Sequence, residues 1–114
     1  MAARTIPQGT LDLLILTTLA GGPRHGYAIA RWIEETTDDV LSIEEGSLYP
    51  ALYRMERRGL IASKWARSDL GKVVKRYALT AGGRRHLLAR TEEWGDMAGA
   101  VAKVLRSRTH GSAG

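Results

Sequence analysis

The chain has 114 residues, 44% of them hydrophobic and 25% charged, with a formal net charge of +5 and no cysteine. That length allows one domain with a real core but not two independent ones, and the composition is that of a soluble globular chain rather than a disordered or membrane one. Disulfides and thiolate chemistry are excluded; the longest apolar run, Leu13 to Leu16, is too short for a bilayer, and no signal-peptide pattern opens the chain, so a reducing cytoplasm is the expected setting.

From Thr10 to Ala20, Leu11, Leu14, Ile15 and Leu19 fall at helical spacing, and Gly21-Gly22-Pro23 ends the run, which predicts a first helix. A second helix is predicted from about Gly26 to Thr36, with Ile29, Trp32 and Ile33 on one apolar stripe, so Trp32 is read as core. His25, Gly26 and Tyr27 form its start, where free backbone N–H groups suit a phosphate; capping and packing are the rival roles for His25 and Tyr27. After a loop over 37–43 comes a third helix, in which Leu48, Leu52 and Met55 share a face with Ala51 beside it and Gly59 closes the run.

That third helix raises a question about Pro50. If Ser47 is its cap, Pro50 falls in the first turn, where the missing N–H has no intrahelical acceptor to lose. At about 100° per residue, Tyr49, Pro50, Tyr53, Arg54 and Arg57 then lie opposite the core stripe, with Ser47 at the edge. The outer face is aromatic and basic, with hydroxyls near its N-terminal end, and reads as a contact surface. Ser47, Tyr49, Pro50, Tyr53 and Arg54 are therefore candidate contact residues, with Tyr27 at the start of the second helix as another, although Tyr49 or Tyr53 could instead pack on the wing that follows, and Arg57 and Arg58 read as solvated.

Beyond Gly59 the period changes. Leu60 to Ala66 and Val73 to Thr80 are rich in β-formers and flank the turn-like segment 67–72, which predicts a two-stranded β-hairpin. Trp65 lies on it, and Lys72 and Lys75 are its candidate DNA contacts. Three helices followed by a hairpin give the element order of a winged helix-turn-helix, with the third helix entering the major groove and the hairpin as wing. Thr80 is a plausible cap for a long last helix, although Gly82 and Gly83 weaken its first turn. Along it, Leu87, Thr91, Trp94, Ala98, Val101 and Leu105 alternate in spacings of four and three, the seam of a coiled coil, flanked by Met97 and Val104. A partner helix is implied, and Gly95 and Gly99 suit close backbone approach. The mainly α architecture thus divides into a winged unit over 1–80, a dimerisation helix over 81–106 and a disordered tail over 107–114.

The charge is uneven. Residues 54–90 hold eleven Lys and Arg against Glu56 and Asp69, while 1–53 sum to −4 and 91–114 to zero. A segment so biased attracts a polyanion in a salt-dependent way, although a merely solvated basic face is the plainer alternative.

Three blocks carry a resemblance. "HGYAIARWIEE" (His25 to Glu35), "GSLYPALYRMERRGLI" (Gly46 to Ile61) and "YALTAGGRRHL" (Tyr77 to Leu87) resemble successive blocks of the PadR family of bacterial transcriptional regulators, and the single last helix resembles that of its short members. The resemblance implies a homodimer on a palindromic double-stranded operator, repression, and in some relatives release by a small aromatic effector. It places Ser47, Tyr49, Pro50 and Arg54 at positions that read or clamp DNA, and Trp94 where a tryptophan stacks flat aromatic ligands, an ordinary interface anchor being the other role. Val73-Val74 departs from the basic or small residues that many relatives carry there.

Other classes fare worse. His25, His86 and His110 lack metal-ligand spacing, and neither a nucleophile elbow nor a phosphate-binding glycine loop is present, so no metal, cofactor or catalysis is expected. A winged-helix protein-interaction adaptor without DNA binding is the alternative.

Overall fold

A computed structural model of the chain describes residues 6–109. In chain order the elements are α1 (Gln8–Ala20), β1 (Arg24–His25), α2 (Gly26–Thr36), α3 (Glu45–Arg57), β2 (Ile61–Arg67), β3 (Val73–Leu79) and α4 (Ala81–Thr109). The expected helices, hairpin and long last helix are all present.

One core holds the first three helices and the root of the sheet together. α1 contributes Leu11, Ile15, Leu16 and Leu19, α2 contributes Ile29 and Ile33, and α3 contributes Leu48, Ala51, Leu52 and Met55; Ile61 and Tyr77 close it from the strands. Trp32 packs at the margin of this cluster rather than inside it, with the Arg24 guanidinium 5.7 Å above its ring. Burial raises the pKa of the Tyr77 phenol, and the nearby Glu56 and Tyr49 push it the same way.

Three features differ from the sequence expectation. The sheet has three strands in the order β1-β3-β2, because Arg24 and His25 pair antiparallel with Tyr77 and Arg76 before α2 begins. A strand of two residues has no room for alternation, so no periodic signal announces it.

The second difference concerns Pro50. α3 starts at Glu45, not after Ser47: Glu44 is the cap residue, in extended conformation, and its carbonyl accepts from the amides of both Ser47 (3.0 Å) and Leu48 (2.9 Å). Pro50 therefore stands inside the helix, where it denies the Gly46 carbonyl its amide partner. Gly46 is exposed, so water can take that place. At the other end Gly59, at φ +76°, turns the chain out of the helix, and the amides of Gly59 and Leu60 return to the carbonyls of Glu56 and Met55 at 3.0 Å each.

The third is the length of α4, which continues past 106 to Thr109; residues 110–114 of the expected tail lie outside the described residues. Thr80 caps it as expected, its hydroxyl accepting from the Gly83 amide at 2.9 Å. Gly83 itself is pressed against the turn that follows α3: a Cβ there would stand 2.0 Å from the Leu60 carbonyl oxygen. The first turns of α4 pack on the core through Leu87, and the rest projects away, giving the chain extents of 63 × 35 × 21 Å. No helix among the described residues is long and apolar enough to cross a membrane.

Candidate nucleic-acid interface

The buried side of α3 fixes what its other side presents. With Leu48, Ala51, Leu52 and Met55 all in the core, Pro50, Tyr53 and Arg57 are left in the middle of the outer face, with Ser47 and Arg54 on one flank and Tyr49 on the other. The flanks are not free. Tyr49 lies over the N-terminus of α2, close enough that a Cβ on Gly26 would meet its ring at 2.8 Å, and so it packs there rather than on the wing. On the opposite flank Arg54 Nη2 donates to Asp12 Oδ1 of α1 at 2.8 Å. Between them Tyr53 is 61% exposed, and the Arg57 guanidinium sits 5.7 Å above its ring and donates to its hydroxyl at 3.3 Å.

Beside Arg54 is a cavity of about 250 Å³ lined by Ile6, Gln8 and Leu11 on the α1 side and by Gly46, Ser47, Pro50 and Arg54 on the α3 side. Tyr27 projects from the first turn of α2, 64% exposed. His25 stands at the N-cap of α2 without a side-chain cap hydrogen bond and is tied into the sheet through Arg76, so its packing role is that of a strand residue.

The wing supplies a second basic surface. β2 and β3 pair from Ile61↔Leu79 to Arg67↔Val73. Their loop turns through Gly71 at φ +80°, with the amide of Ser68 donating to the Lys72 carbonyl at 2.7 Å and the Arg67 guanidinium donating to the Gly71 carbonyl at 2.9 Å. Lys72 and Lys75 are both exposed, but Lys75 is partly spoken for: its ammonium lies 5.8 Å from the centroid of the Trp65 ring, directly across the hairpin.

Among the seam residues expected on α4, Leu87 packs on the chain's own core, whereas Thr91, Trp94, Ala98, Val101 and Leu105 are exposed. Gly95 and Gly99 have open space around them.

Two contributors to this surface were missed in the sequence. Gly26, read in the sequence only as part of a helix start, is the floor for Tyr49, and nothing local marks that role. Asp12 did carry a signal: it is the one charged residue of α1, set in the apolar run TLDLLIL.

A helix with an aromatic and basic outer face, next to a small antiparallel wing, is the arrangement of a winged helix-turn-helix DNA-binding protein. The chain belongs to the Transcriptional regulator PadR-like family, whose sequence model matches residues 15–89. It is similar to a transcriptional regulator from Clostridium thermocellum, at 31% identity over 84% of this chain and 93% of that one with a TM-score of 0.77. A PadR family transcriptional regulator from Eggerthella lenta shares 34% identity over 86% and 83% of the two chains, with a TM-score of 0.73. A Streptococcus mutans protein superposes with a TM-score of 0.82 at 26% identity, covering 94% of this chain and 96% of that one. The protein is thus a DNA-binding transcriptional regulator and not an enzyme.

Proposed function

We propose that the chain works in the cytoplasm as a homodimer that sets α3 of each copy into the major groove of a palindromic operator and represses transcription there. The observation that carries this reading is the outer face of α3, where exposed Tyr53 and Arg57 lie between Tyr49 and Arg54 on a helix whose other side is wholly buried. Tyrosine hydroxyls serve phosphates, and an arginine fork serves a guanine edge or a phosphate. The wing lysines follow the backbone.

The test starts from a random duplex pool, from which the wild-type chain selects its preferred sequence. Arg54→Ala is expected to weaken that duplex by about 1–3 kcal/mol and to relax preference at one position per half-site. Lys72→Ala is expected to weaken selected and random duplexes alike and to lower the salt slope by about one unit, and Lys75→Ala to do the same less strongly because Trp65 already holds its ammonium. If Arg54→Ala leaves both duplexes unchanged, α3 is not the reading helix.

Trp94 is 52% exposed on the uncovered stripe of α4. In this reading it stacks a flat aromatic effector between the two copies. Such compounds are then expected to quench tryptophan fluorescence, and Trp94→Ala to abolish the saturable part of the quenching while the dimer persists. Quenching that survives the substitution removes the effector from this site.

A further inference from the structure

We propose that Asp12 is a specificity-determining residue of the DNA face, acting through Arg54: it neutralises the arginine against indiscriminate phosphate contact while holding its fork in one orientation. The inference rests on the reading that α3 faces DNA.

The pair differs from the other ion pairs among the described residues. Its length is 2.8 Å and its side chains are 36% (Arg54) and 16% (Asp12) exposed, whereas Arg31 with Glu35 spans 3.4 Å at 46% and 67%, and Arg31 with Glu34, whose carboxylate is 18% exposed, spans 3.7 Å. Pairs of the second kind exchange freely with water and contribute little. A short pair drawn out of water on the carboxylate side is screened less and stays formed. It also joins two helices, since the partners are 42 residues apart, so it fixes the guanidinium against α1 rather than along its own helix.

The position of the pair gives it a consequence for binding. Arg54 is the only basic residue of α3 paired with a carboxylate; Arg57 and Arg58 hold none among the described residues. Among the described residues Asp12 Oδ1 is also the only acceptor of Arg54, which leaves the remaining N–H groups of its fork turned to the cavity that Ser47 and Pro50 line. A guanidinium has five donors, and a bidentate contact to a base edge needs two of them. Arg54 can therefore keep Asp12 and still read a base. A phosphate approaching at random is treated differently, because it meets a fork already neutralised and a fixed carboxylate of its own sign. Affinity for non-specific DNA comes from counterion release by unpaired cations, and Asp12 withdraws one cation from that account.

Asp12→Asn keeps the shape and an oxygen acceptor for Arg54 while removing the charge. Binding is measured on a random-sequence duplex of about 30 base pairs and on the duplex selected by the wild-type chain, each across a salt series. One additional phosphate contact carries a salt slope of about 0.9, so at ~0.1 M salt the variant is expected to bind the random duplex about eightfold more tightly, with the slope steeper by about one unit. The selected duplex gains less, and the ratio between the two falls. Asp12→Ser, also neutral but unable to reproduce the carboxamide contact, is expected to tighten random binding in the same direction.

A pair that merely staples α1 to α3 predicts the opposite sign. In that case both variants weaken both duplexes together with a fall in melting temperature, and that outcome overturns the proposal, as does random-duplex binding that is unchanged. Arg54→Ala keeps the two readings apart. If it weakens the selected duplex while Asp12→Asn leaves random binding as it was, only the role of Asp12 falls; if neither variant alters either duplex, the placement of α3 falls as well.

Discussion

Gly83→Ala is expected to destabilise the fold by about 3 kcal/mol, the upper end of what overpacking ordinarily costs. The added Cβ would lie 2.0 Å from the Leu60 carbonyl oxygen and 2.8 Å from Leu79 Cδ1. The first of these atoms is backbone and has no rotamer to escape into. It is also held in place, because the Leu60 oxygen accepts from the Thr80 amide at 3.1 Å and from the Thr80 hydroxyl at 3.0 Å. To admit the methyl, α4 must lift off the turn at Leu60 and give up those bonds. A loss of this size corresponds to a melting temperature lower by about 15 °C for a domain of this class. Gly82→Ala is the control next door: its Cβ would meet nothing nearer than 3.7 Å, and alanine is the better helix former by about 1 kcal/mol, so this variant is expected to melt at or above wild type. Equal melting of the two variants would mean that α4 does not dock as described.

The second large effect concerns assembly. Trp94, Met97, Val101, Val104 and Leu105 are all exposed on one side of α4, more contiguous apolar surface than an isolated chain ordinarily leaves in water. A second copy of the same helix is the occupant that the seam spacing fits. The double substitution Val101→Glu with Leu105→Glu places like charges across a twofold contact and is expected to give monomers at micromolar concentration by light scattering. These side chains lie outside the chain's own core, so the winged unit should melt nearly as before. Affinity for the selected duplex is expected to fall by about 100-fold or more, because two tethered half-sites bind with an effective concentration that one cannot supply. An unchanged dimer in the double variant rejects the α4 interface.

The parts of this fold that were legible in the sequence are those that rest on periodicity. The bounds of α2 follow from its apolar stripe between Gly26 and the polar loop, and the inward side of α3 follows from Leu48, Leu52 and Met55. Once that side is known the outer one is known, which is why the exposed Tyr53 and Arg57 could be placed in advance. The rest depends on contacts between segments distant in the chain. Arg54 reads as a free cation until α1 brings Asp12 to it, and Tyr49, still 44% exposed, reads as unpacked until Gly26 is seen to leave room for its ring. Pro50 was misplaced by a turn because serine is the better capping residue by type, whereas Glu44 takes the cap position through its backbone alone. Gly82 and Gly83 looked like two equal costs to helix formation. One of them is a steric requirement, and only the packing of α4 on Leu60 distinguishes it.

That junction at Leu60 has a bearing on geometry at a larger scale. The Leu60 amide closes the turn after α3, and the carbonyl of the same residue accepts from Thr80 and abuts Gly83, so the start of the last helix is pinned to the turn that ends α3. Among the described residues, that shared turn restrains the two helices against swivelling independently. In an assembly built on α4, the separation of the two copies of α3 would be set by how the long helices cross, as the span of a pair of calipers is set at its pivot. Half-site spacing on DNA would then be a property of the distal helix pair, some distance from the residues proposed to touch a base.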